Sequence, residues 1–122
     1  MGNKVLVIDD DADICELVRR ALESKGINVI SATTGEEGIK AAGEFGPDVI
    51  LLDHRLPDMD GLDTAKKIKA TAAGKNASIV LMSGVDSVAA EYKVEPGLVV
   101  GYLIKPFRLA DMANYVKKII EK

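Results

Sequence analysis

Apolar residues along this chain fall into two alternating patterns. Three short runs are unbroken: Val5-Leu6-Val7-Ile8, Val49-Ile50-Leu51-Leu52 and Ile79-Val80-Leu81-Met82, with a less pure fourth from Leu98 to Ile104. Continuous β-branched and aliphatic stretches of this length predict strands buried on both faces, as in a parallel sheet. Ile27 to Ala32, interrupted by Asn28 and Ser31, predicts an edge strand. Between the runs the period changes to that of a helix. Ile14, Leu17, Val18, Ala21 and Leu22 share one face, and Gly26 follows as a left-handed terminator. Thr34 to Glu37 has the spacing of a capping box, opening a second helix weakened by Gly38 and Gly43. Leu62, Ala65, Ile68 and Ala72 mark a third, and Asp86 to Lys93 a short fourth that Pro96-Gly97 must stop. The last helix is the clearest, with Leu109, Met112, Ala113, Val116, Ile119 and Ile120 on one stripe.

Strand and helix therefore alternate five times, which predicts an α/β fold: a doubly wound, five-stranded parallel sheet with right-handed crossovers. The 122 residues carry 48% hydrophobic and 29% charged residues, which suits a single globular domain over 1–122 and excludes a disordered or fibrous chain. The balance of 16 basic against 19 acidic residues, −3, is the wrong sign for a broad nucleic-acid surface, so no nucleic-acid partner is expected. Cys15 is the one cysteine and has no disulfide partner; on the first helix it reads as a small buried hydrophobe. The first apolar run ends at aspartates after four residues, too short for a signal peptide or membrane span. No membrane partner and a cytoplasmic location are the expectation.

The unusual polar residues all fall at strand ends. Asp9, Asp10 and Asp11 follow the first strand, Asp53 the third, while Ser83 closes the fourth and Lys105 the fifth. In an open α/β sheet ligands bind at that edge, where strand order reverses; in the flavodoxin-like order 2-1-3-4-5 this lies between strands one and three. Asp9, Asp10 and Asp53 would meet there. Two carboxylates about 5 Å apart repel by about 3 kcal/mol at an effective dielectric near 20, so three of them call for protonation or a cation. Hard oxygen donors suit magnesium, which keeps several waters.

Five motifs in this order carry a resemblance that spans nearly the whole chain. They are Asp9-Asp10 after the first strand, Pro47-Asp48 leading to Asp53, Leu56-Pro57 through Gly61, Met82-Ser83-Gly84, and Lys105-Pro106-Phe107. In these the chain resembles the receiver domain of two-component response regulators, the CheY-like fold. The resemblance implies that Asp53 accepts a phosphoryl group from a sensor histidine kinase or a histidine phosphotransfer protein. It implies that Asp10, Asp53 and the Arg55 backbone carbonyl hold Mg2+, with Asp9 reaching it through water. Lys105 would stabilise phosphoryl oxygens, Ser83 would move its hydroxyl toward them, and Tyr102 would turn inward as the switch aromatic. A changed surface over the fourth helix, fifth strand and fifth helix would then engage a downstream target protein, as a monomer or as a weak dimer on phosphorylation. The receiver would also hydrolyse its own acyl phosphate. Arg55 and Val85 take places that in this family flank the hydrolytic water, which implies a long-lived phosphoryl group. With nothing after the last helix, the expectation is a stand-alone receiver whose output is protein contact or phosphoryl relay.

Several bland readings stand beside these. Asp11 reads as a cap of the first helix. His54 reads as a loop residue pointing away from Asp53 rather than as a metal ligand. Lys66, Lys67 and Lys69 read as a solvated helix face, and Tyr115 as lying on the polar side of the last helix. An aspartate-nucleophile phosphatase of the haloacid-dehalogenase type would need an acid where Arg55 stands. A flavin carrier on this fold would find its phosphate repelled by Asp9, Asp10, Asp11 and Asp13. The remaining alternative is a receiver-fold interaction scaffold whose phosphorylation is not the operating switch.

Overall fold

A computed structural model of the protein describes residues 3–84 and 97–121. Its elements run β1 (Lys4–Ile8), α1 (Ala12–Glu23), β2 (Asn28–Ala32), α2 (Gly35–Phe45), β3 (Val49–Asp53), α3 (Gly61–Lys69), β4 (Ser78–Gly84), β5 (Gly101–Lys105) and α4 (Leu109–Glu121), the C-terminal helix. The five strands form one parallel sheet in the order β2-β1-β3-β4-β5, as expected. The short helix expected from Asp86 to Lys93 lies outside the described residues, as do Val85 and Pro96.

The unbroken apolar runs become inner strands because side chains of both parities are needed in the core. Val5, Val7, Val49, Leu51, Val80 and Met82 pack with α1 and α4; Leu6, Ile8, Ile50, Leu52, Ile79 and Leu81 pack toward α2 and α3. Every one of these twelve is at most 1% exposed. The two clusters share no residue.

The caps explain where the helices begin. Asp11 takes the N–H groups of Asp13 and Ile14 at 2.9 and 3.3 Å, confirming it as the cap of α1. Thr34 accepts from the Glu37 N–H at 3.1 Å, but the Glu37 carboxylate reaches back to the Thr33 N–H at 3.0 Å, one residue earlier than a regular box. Gly26 has φ +80°, the left-handed geometry expected after α1.

Four local readings need correction. Leu17 is 49% exposed despite its place in the apolar period, because it edges a surface cleft rather than the sheet. The last strand starts at Gly101, and Leu98 is buried ahead of it without joining the ladder. Lys69 is not simply solvated: its ammonium donates to the carbonyls of Lys75, at 3.3 Å, and Ala77 in the turn beyond α3. Tyr115 is half-buried against the α1–α4 side of the core, its hydroxyl lying over Gly101, where the missing side chain leaves room.

Candidate functional site

Two strand ends bring the acidic residues together. Asp9 leaves β1 fully buried, Asp10 beside it is exposed, and Asp53 ends β3 at 8% exposure. One carboxylate oxygen from each lies within 4.8 Å of the others. Lys105, the last residue of β5, spans two of them: its Nζ donates to Asp9 Oδ2 at 2.7 Å and to Asp53 Oδ1 at 3.3 Å. The Asp9 carboxylate is held from the other side by the Asp11 N–H at 2.9 Å.

The electrostatics follow from this geometry. Burial first, and then the Asp9 charge, pushes the Asp53 carboxyl up to about 6, while Lys105 and the Arg55 backbone N–H pull it back. Burial pulls the Lys105 ammonium down, yet its hydrogen bond to Asp9 and the charges of Asp53 and Asp9 outweigh that and hold it above the ordinary lysine range. Among the described residues one cation, Lys105, thus bridges two of the three clustered acids. The donor set fits a hard divalent cation: three carboxylate oxygens converge, and exposed Asp10 leaves the mouth open to the waters such an ion retains.

The turn after β3 completes the site. Arg55 has its backbone directed to Asp53 and pairs with Asp60 in a short antiparallel bridge, while its side chain is exposed. Asp60 caps α3 through the Leu62 N–H at 2.7 Å. The Gly61 N–H donates to the His54 carbonyl at 2.8 Å. A Cβ at Gly61 would lie 2.4 Å from the Asp53 carbonyl and 2.9 Å from that of His54, so only glycine lets the helix start this close to the acceptor strand. Gly61→Ala is accordingly expected to cost about 1–3 kcal/mol, read as a lowered denaturation midpoint with an unchanged slope.

Ser83 is 1% exposed near the end of β4, one residue past Met82, which pairs with Asp53 in register. Tyr102 is half-buried on the same side of the sheet as Ser83, against the α2–α3 core, paired with Leu81. His54 donates its backbone N–H to the Met82 carbonyl at 2.9 Å. Cys15 is 4% exposed, its Sγ 3.3 Å from the Asp9 carbonyl, and burial pushes its thiol up to about 11; it is the small apolar group expected. Beside Lys105 a cleft of about 540 Å³ opens between α1 and the Pro106–Leu109 turn, walled by Ile14, Leu17, Val18 and Phe107. One role had no visible signal in the sequence: Asp58, inside the Leu56–Gly61 motif, accepts the N–H groups of Gly35 and Glu36 at 2.7 and 2.9 Å.

A parallel 2-1-3-4-5 sheet with clustered acids and a lysine at its carboxyl edge defines the response-regulator class of α/β proteins. The chain belongs to the response regulator receiver domain family, whose pattern it matches over residues 5–117. The family's role is to be phosphorylated by a kinase, and the acidic cluster is consistent with a phosphoacceptor site. The chain is 31% identical over 119 residues to the cell cycle transcriptional regulator CtrA of Caulobacter vibrioides, covering 98% of this chain and 51% of that protein. With the alkaline phosphatase synthesis transcriptional regulatory protein PhoP of Bacillus subtilis it shares 34% over 125 residues, covering 100% and 50%. It thus spans about half the length of these curated relatives. Among solved structures, the chemotaxis response regulator CheY4 of Vibrio cholerae superposes with a TM-score of 0.87 at 26% identity, covering 95% of this chain and 97% of that one. The receiver domain of the sensor histidine kinase PA1611 of Pseudomonas aeruginosa, solved with a magnesium ion coordinated in its cleft, shares the fold at 24% identity, TM-score 0.84 and full coverage of both chains. No helix among the described residues is long and apolar enough to cross a membrane.

Proposed function

We propose that Asp53 is the phosphoacceptor and that the chain works as a magnesium-dependent receiver supplied by a sensor histidine kinase or a histidine phosphotransfer protein. The observation that carries this reading is the convergence of Asp9, Asp10 and Asp53 with Lys105 bridging two of them. A carboxylate oxygen of Asp53 attacks phosphorus in line, the P–N bond to the donor imidazole breaks, and the imidazole leaves with the electron pair. Asp9, Asp10, Asp53 and the Arg55 carbonyl are the groups that would hold Mg2+. When bound, the ion supplies charge neutralisation to the phosphoryl oxygens. Lys105 contributes a fixed positive charge on the same oxygens, already aimed by its bond to Asp9. Once Asp53 is modified, the added charge and acceptor oxygens draw the Ser83 hydroxyl toward them, and Tyr102 repacks on its side of the sheet to alter the surface that a target protein reads. Attack of water on phosphorus later cleaves the acyl phosphate and resets the switch.

The test is uptake of phosphoryl from a small acyl-phosphate donor with magnesium, read by intact mass. The protein should gain one phosphoryl group and Asp53→Asn none. Equal uptake by both overturns the assignment of Asp53, and no uptake by the wild type favours a scaffold.

A further inference from the structure

The turn joining β3 to α3 carries the Arg55 backbone, and its two ends are well secured. At the neck, Arg55 bridges to Asp60 and the Gly61 N–H closes onto the His54 carbonyl. The tip, at Asp58 and Met59, is held by a different element, the start of α2. The Asp58 carboxylate takes the Gly35 N–H on Oδ1 at 2.7 Å and the Glu36 N–H on Oδ2 at 2.9 Å. Next to it Met59 packs on Gly35, where a Cβ would lie 2.4 Å from its Cγ.

This arrangement accounts for the N–H groups of the first three residues of α2. A helix start leaves four N–H groups without intrahelical partners. Here Gly35 and Glu36 donate to Asp58 and Glu37 donates to the Thr34 side chain at 3.1 Å, while Gly38, donating to the Thr34 carbonyl at 3.0 Å, makes the first regular helix bond. Thr34 is the local cap, part of the helix's own entry. Asp58 comes from more than twenty residues away, and its bonds are charge-assisted and two-pronged. A local cap would have sufficed for the helix; the distant one also fixes the turn that supplied it.

We propose that Asp58 is a positioning residue for phosphoryl transfer, a clip that fastens the 54–60 turn to α2 and so holds the Arg55 backbone where the metal and Asp53 need it. The inference rests on the proposed function, since it assigns Asp58 a role through the magnesium site without contact to it. Cutting the clip frees the tip of the turn while leaving the acids on their strand ends.

Three variants separate this role from plain helix stability: Asp58→Ala, Asp58→Asn and Thr34→Ala. Magnesium is titrated into each and followed by backbone amide resonances, and amide hydrogen exchange over 54–60 is measured without metal. Loss of an orienting partner typically weakens metal binding by at least about 10-fold, and that loss is expected for Asp58→Ala. Asp58→Asn, keeping one acceptor, should fall between it and the wild type. Thr34→Ala removes a cap from the same helix without touching the turn; it should bind magnesium within about twofold of wild type and leave exchange over 54–60 unchanged. Wild-type exchange over 54–60 in Asp58→Ala overturns the clip, and so does an equal loss of magnesium affinity in Thr34→Ala. A wild-type protein that takes up no magnesium overturns the functional reading instead.

Discussion

Lys105→Met is expected to slow phosphoryl uptake by about 100-fold, the usual effect of removing one fixed donor from a developing anion. It should also destabilise the metal-free protein. The Asp9 carboxylate is 1% and that of Asp53 11% exposed, and Lys105, at 26%, is the cation that both of them touch. Removing one partner of a buried ion pair costs about 3–5 kcal/mol; with a lysine partly open to water, about 2–3 kcal/mol is expected. The two effects separate in a double variant. Adding Asp9→Asn to Lys105→Met removes the more deeply buried of the two stranded charges, so the denaturation midpoint should recover in part while transfer stays slow. A double variant as unstable as the single one would show that the loss does not come from the stranded Asp9 charge.

The second large effect runs the other way. Asp53→Asn should stabilise the metal-free protein at neutral pH. In the folded chain the Asp53 carboxyl is raised from 3.8 to about 6, so it binds its proton more tightly folded than unfolded. Between those values the native state holds more protons, and stability falls as pH rises through the window. Above it the charged carboxylate costs the fold up to about 3 kcal/mol, two units at about 1.4 kcal/mol each. Asparagine escapes this cost. Melting curves in chelator should therefore place Asp53→Asn above wild type at pH 7, with the gap closing on acidification toward 3.8. A gap that does not change with pH would show that burial and Asp9 do not set the acceptor's ionisation.

The inner strands and the strand-end acids were legible because each is written locally. A strand buried on both faces must be apolar at every position, and an aspartate that ends such a run can only sit at the sheet edge. The misread positions depend on what lies across space. Leu17 keeps the helical period yet edges a cleft, since its stretch of α1 runs past the Pro106–Phe107 turn instead of over the sheet. Tyr115 has polar neighbours in the chain, and its place against the core exists because Gly101 yields the room. Lys69 has the reach to find two carbonyls of the following turn, which no periodicity announces. Asp58 reads as a turn residue until its partners, 23 and 22 positions away, are seen. Leu98 is apolar and buried like a strand residue, but it enters the core ahead of the ladder.

The separation of the two cores limits how news of modification can spread. The sheet is a partition packed tight on both surfaces, and Tyr102 stands on the far side of it from the α1–α4 packing. A close-packed wall does not flex in its middle. Whatever happens at the acceptor must travel around the rim, over the last residue or two of each strand, where chain ends give way to turns and a side chain has somewhere to go.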